Sequence, residues 1–143
     1  MSPLIERLIE EHHWPRASEE NIEQLLGQHE VLVLFFSSDP ARYPESNDVA
    51  VILAELARTY DGRFQPVVVT RSSEQALKAR YPFQQWPTLV FLRRGVMLGA
   101  ISKVRDWAEY HAIIDQLLAP KNHRNSRSPR SIYNVRSQYL RRQ

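Results

Sequence analysis

Two hydrophobic periodicities alternate along the chain. Behind Ser2-Pro3, a capping hydroxyl with proline at the first helical position, Leu4, Ile5, Leu8 and His12 recur at helical spacing. That pattern predicts a helix to about residue 13. Trp14-Pro15-Arg16-Ala17 predicts a short extended connector of edge-strand type. Ser18 reads as the cap of a second helix, with Glu19 and Glu20 at its positive end, Ile22, Leu25 and Leu26 on its apolar face, and Gly27 as its stop. The pattern changes at Val31-Leu32-Val33-Leu34-Phe35-Phe36, an unbroken apolar run of strand length. Such a run fits a strand buried on both faces in a central, parallel position.

The run breaks at a polar loop, Ser37-Ser38-Asp39-Pro40-Ala41-Arg42-Tyr43-Pro44. A long helix is expected next, with Asn47 or Asp48 near its start. Val49, Ile52, Leu53, Leu56 and Tyr60 repeat at its period until Asp61-Gly62 stops it. Residues 66–70 predict a strand, and Ser72 and Gln75 stand at capping-box spacing ahead of a short helix. Trp86-Pro87-Thr88 then enters a strongly apolar strand, Leu89-Val90-Phe91-Leu92. Proline is tolerated at a strand's first residue because it need not donate to the ladder there. Arg93-Arg94-Gly95 turns the chain into a second, hairpin-linked strand, Val96 to Ile101. The final helix, 107–118, carries Trp107, Tyr110, Ile114, Leu117 and Leu118 on one expected face, and Pro120 ends it.

The resulting order is α-(β)-α-β-α-β-α-β-β-α. It predicts an α/β fold: a central mixed sheet, helices on both faces, and a C-terminal antiparallel hairpin plus helix. An apolar or aromatic residue, Pro-Thr, an apolar strand, a glycine turn, another strand and a last helix resemble the second half of a thioredoxin fold. That resemblance implies a cis bond before Pro87 and a Pro87 that abuts the active-site loop.

Composition limits the chemistry. The 143 residues suffice for one domain, expected over 1–120, and a tail over 121–143. No apolar run approaches the roughly 20 residues that span a bilayer. The N-terminus has no apolar signal core, so the expectation is a cytoplasmic protein without membrane insertion. There is no cysteine, which excludes disulfides, thiol redox catalysis and thiolate-held metal or iron–sulfur clusters within this sequence. The net charge of +3 is unevenly spread. All 16 Asp and Glu lie within 1–120, whereas seven of the 19 Lys and Arg lie within 121–143, which has no acid. The high pI therefore belongs to the tail.

The loop motif Ser-Ser-Asp-Pro-x-Arg-x-Pro-Glu, the early Trp14-Pro15 and the Pro-Thr-Leu-Val-Phe strand together resemble the hydrogenase-operon accessory proteins, the HyaE/HupG family that includes HoxO. The resemblance spans about residues 4–119. It implies a thioredoxin-like protein without the redox cysteine pair, the place of which is held here by residues 37–45. It further implies a non-catalytic role in maturation of uptake nickel–iron hydrogenases, by binding the small-subunit precursor through its twin-arginine signal peptide. A second hydrogenase accessory protein is a further candidate partner.

Paired arginines call for carboxylates, which accept charge-assisted and often bidentate hydrogen bonds. Asp39, Glu45 and Asp48 lie on or beside the altered loop, and Trp86 offers an aromatic wall beside Pro87. Structural roles compete with this reading. Asp39 before Pro40 suits a turn, and Asp48 suits a helix cap. Arg42 has Asp39 and Glu45 within reach as internal partners, and Tyr43 suits either the groove or the core. Glu10, Glu11, Glu19, Glu20 and Glu23 form a second acidic group, read as a solvated face. The histidines have no metal-ligand spacing, and no nucleophile–base set or glycine-rich phosphate loop is present, so no catalytic residue, metal or cofactor is expected. In the tail, Ile132, Val135 and Tyr139 stand at helix-like spacing among arginines. That segment suits docking to an acidic protein, a contact with the acidic domain or, less well, RNA.

Overall fold

The computed structural model describes residues 2–120. The tail, with its helix-like spacing, lies outside the described residues. Helix α1 (Pro3–His12) starts as the sequence predicts: the Ser2 hydroxyl accepts from the Ile5 amide at 3.1 Å. The same hydroxyl donates to Asn47 Oδ1 at 2.6 Å, pinning this helix to the long one. Strand β1 is two residues, Arg16–Ala17, followed by α2 (Ile22–Gln28), β2 (Val31–Phe36), α3 (Glu45–Thr59), β3 (Gln65–Val69), α4 (Glu74–Arg80), β4 (Thr88–Arg93), β5 (Val96–Ser102) and α5 (Trp107–Leu118).

The sheet order is β1-β3-β2-β4-β5. β2 is parallel to β3 and antiparallel to β4, so the central strand has one neighbour of each kind. Its alternation sorts the core into two layers. Val33 and Phe35 face α1, α3 and α5, where Leu53, Leu56, Phe91, Tyr110 and Ile114 are buried. Leu32, Leu34 and Phe36 face α2 and α4, with Leu25, Val67, Leu77 and Val90. This two-sided burial is why the run shows no polar alternation.

Four local expectations are corrected. Ser18 does not begin a helix. Residues 18–21 form a turn in which the Ser18 carbonyl accepts from the Ile22 amide at 3.0 Å, and α2 starts at Ile22. Gly27 lies inside α2 rather than ending it, because the helix runs to Gln28 before turning into β2. The Ser72–Gln75 capping box does not form. A single 3-10 turn, Arg71–Ser73, leads into α4, and the Ser73 hydroxyl accepts from the Glu19 amide instead. Trp107 is not in the core: it is 44 % exposed, because α5 buries the stripe through Tyr110, Ile114 and Leu118 and leaves its first residue outside.

Candidate functional site

The altered loop lies at the C-terminal end of β2, where a strand end and a helix start converge. Three anchors shape it. The Ser46 hydroxyl donates to the Ser37 carbonyl, and both residues are buried. Ser38, at φ 56°, points its amide at Glu74 Oε2, 2.9 Å away. Asp39 accepts at its side chain from the Ala41 amide (3.0 Å) and at its carbonyl from the amides of Arg42 (2.9 Å) and Tyr43 (2.8 Å). Asp39 thus shapes the turn, with an Asx-type bond typical of this residue.

Glu74 is 3 % exposed. Burial pushes its carboxyl above the ordinary carboxylate range, against the opposite pull of the Ser38 amide and of Arg71, whose Nε lies 3.2 Å away. A buried acceptor below a left-handed residue holds the loop's path; nothing in the residue pattern singled it out, because its partner is 36 positions away.

The Trp86–Pro87 peptide bond is cis, as the resemblance implies, and Pro87 is buried at the head of β4. Register pairs Thr88 with Phe36, which sets Pro87 beside the start of the altered loop. The Pro87 carbonyl accepts from the Lys103 amide at 2.7 Å. Lys103, at φ 65°, also directs its ammonium to within 3.7 Å of Glu45 Oε2. Buried Tyr110 fixes this segment: its hydroxyl donates to the Lys103 carbonyl and accepts from the Arg105 amide, both at 3.2 Å. The buried face of Tyr110 is legible in the sequence, but Lys103 and the task of the Tyr110 hydroxyl are not, since those roles exist only once β5 lies beside β4.

The predicted residues separate into groups. Glu45, Pro87 and the loop come together through Lys103. Asp48 is exposed in the first turn of α3; it caps nothing, since Pro44 is the N-cap, and it has no ion-pair partner among the described residues. Arg42 pairs with neither Asp39 nor Glu45 there, and its guanidinium lies over the half-buried Tyr43 ring, 5.6 Å from the centroid. Trp86 turns to the other layer, edge-on to Phe83 (5.0 Å) and Phe36 (6.2 Å). Two surface cavities, about 460 and 540 Å³, lie at the opposite end of β2, near Val31 and Phe64, and contain none of these residues. No helix among the described residues is long and apolar enough to cross a membrane.

A mixed five-stranded sheet, a cis proline facing the loop after β2 and a loop without thiols define a thioredoxin-fold protein with its redox position replaced. A thioredoxin from Plasmodium falciparum shares the fold, with TM-score 0.59 over 71 % of this chain and 97 % of that one, at 15 % identity. The profile of the hydrogenase-1 expression protein HyaE matches residues 4–110, and the chain belongs to that family. It is 42 % identical to the hydrogenase expression/formation protein HupG of Rhizobium leguminosarum bv. viciae, across 83 % of each chain. It is 39 % identical to HoxO of Azotobacter vinelandii, over 89 % of this chain and 85 % of that one. A solved structure from Rhodopseudomonas palustris, assigned as a hydrogenase expression/formation protein HupG, superposes with TM-score 0.53 at 32 % identity, over 73 % of this chain and 94 % of that one.

Proposed function

We propose that this chain is a non-catalytic chaperone of hydrogenase maturation that binds the small-subunit precursor of a nickel–iron hydrogenase through its twin-arginine signal peptide. Binding would take place in the cytoplasm, before export. The observation that carries the reading is the state of the carboxylates around the replaced redox loop. Asp39 gives one side-chain oxygen to its turn, Asp48 is exposed with no ion-pair partner among the described residues, and Glu45 is paired there only with a half-exposed lysine. An exposed pair of this kind is worth little, about 0–1 kcal/mol, so an incoming guanidinium can displace Lys103. Arginine's planar fork then engages a carboxylate with two bonds, which an ammonium cannot do.

The test is binding to the precursor with its signal peptide, without it, and with the arginine pair changed to Lys-Lys. The expected result is binding that requires the peptide and weakens about tenfold with Lys-Lys. Asp48→Asn and Glu45→Gln should each weaken it in the same direction. Equal binding of the mature subunit would overturn the signal-peptide reading.

A further inference from the structure

The N-terminal end of α5 holds an apolar surface that the altered loop does not account for. Val104 is 43 % exposed and Trp107 is 44 % exposed, two of the four large apolar side chains that the described domain leaves open. They follow directly on Lys103, which grips the Pro87 carbonyl, so this surface is continuous with the candidate site. Trp107 meets the ring of His111 edge-on at 4.9 Å, and His111 stacks on Tyr60 of the α3 end at 5.5 Å. Trp107 therefore stands on the side of α5 that faces α3. On α3, the 100° step per residue puts Glu45, Asp48 and half-buried Ile52 on one stripe, the side from which Glu45 reaches Lys103.

Charge around this surface is mainly acidic once internal ion pairs are removed. Lys103 is matched by Glu45, and Arg105 by Glu109 at 3.8 Å. Arg63, over the Tyr60 ring, keeps its charge, with no carboxylate partner among the described residues. Asp48, Asp106 and Asp115 have no cationic partner among the described residues, although Asp115 accepts from the Tyr60 hydroxyl at 2.7 Å. An exposed tryptophan with three carboxylates and one unpaired guanidinium around it, the acids Asp48 and Asp106 lying toward the altered loop and the start of α5, fits a segment that is cationic at one end and apolar beyond it.

We infer that Trp107, with Val104 and Ile52, is the anchor for the apolar stretch that follows the arginine pair of the bound leader, while Asp48 takes one arginine directly and Glu45 takes the other by giving up its weak pair with Lys103. This rests on the signal-peptide reading and assigns to that reading a second contact, on α5. Tryptophan at the centre of a contact is a frequent source of binding energy because it buries a large, rigid area.

The experiment titrates the signal peptide of the small-subunit precursor against the full chain and against Trp107→Ala and Trp107→Phe. A second peptide has its apolar stretch replaced by serine and glycine, and a third has Lys-Lys for the arginines. Expected are a loss of about tenfold or more for Trp107→Ala with the native peptide, partial retention by Trp107→Phe, and little difference between proteins with the serine–glycine peptide. The emission present in wild type and absent in Trp107→Phe should move to shorter wavelength on binding. An exposed tryptophan can be truncated without unfolding the domain, and a thermal melt of each variant verifies it. If the native peptide binds in an arginine-dependent way but equally to wild type and Trp107→Ala, the α5 anchor is overturned and the signal-peptide reading stands. If none of the peptides nor the precursor binds, both fall. A dimer that needs Trp107 in the absence of peptide, seen by sedimentation, also overturns it, since a second copy would then cover the surface.

Discussion

The Lys103 amide donates to the Pro87 carbonyl at 2.7 Å while the Lys103 ammonium stands 3.7 Å from Glu45. One residue thus joins the cis-proline strand entrance to the first turn of α3, and it occupies the very carboxylate that an arginine-bearing partner would use. Lys103→Asn removes the charge while keeping a residue type that tolerates positive φ. Stability should change by less than about 0.5 kcal/mol, as for most exposed substitutions. Affinity for the signal peptide should rise about two- to fivefold, which is the release of a weak internal competitor. Calorimetric titration of both proteins measures it.

Tyr110 holds the same segment from beneath. Tyr110→Phe keeps the buried ring and removes a hydroxyl that both donates to Lys103 and accepts from Arg105. Lys103 and Arg105 are exposed, so water can replace the hydroxyl and the expected cost is about 0.5–1.5 kcal/mol, the net worth of an ordinary hydrogen bond. Urea unfolding should show an earlier midpoint, and amide exchange at Lys103 and Arg105 should quicken.

Glu74 is expected to make stability depend on pH. Burial raises its carboxyl above the ordinary value of 4.5, so between that value and the raised one the folded chain holds a proton that the unfolded chain has lost. The stabilisation is full below the window and disappears as pH rises through it. Glu74→Gln keeps an acceptor for the Ser38 amide but does not titrate, so its stability should decline less over that rise. Urea midpoints for both proteins from pH 4 to 8 test the difference. Glu74→Ala should cost about 1–3 kcal/mol at every pH, because it strands the Ser38 amide.

Ser46 offers a test of the loop that leaves charge untouched. Ser46→Ala removes the hydroxyl that donates to the buried Ser37 carbonyl. A loss of about 1–3 kcal/mol is expected. Because the loop rather than the carboxylates is altered, peptide binding should weaken without any change in its salt dependence.

Periodicity, with the turn and cap residues between its segments, determined the order and type of the elements. Val31–Phe36 reads as a strand buried on both faces because it is one, and the helical repeats of α1 and α3 come from stripes that meet the sheet. The resemblance of the loop and of Trp86-Pro87-Thr88 was equally legible, since both are short contiguous segments. Helix limits were less so: Ser18 and Ser72 look like caps, but the Ser73 hydroxyl is taken by Glu19, 54 positions away. Trp107 lies outside the core although it shares the apolar stripe, because a helical stripe specifies which residues share a face, not where along the helix its neighbours run out. The site's chemistry belongs to the tertiary structure for the same reason. How far Asp39, Glu45 and Asp48 are engaged within the described residues depends on Ala41, Lys103 and open solvent respectively, and only the folding of β5 and α5 against β4 and α3 brings Lys103 to that place.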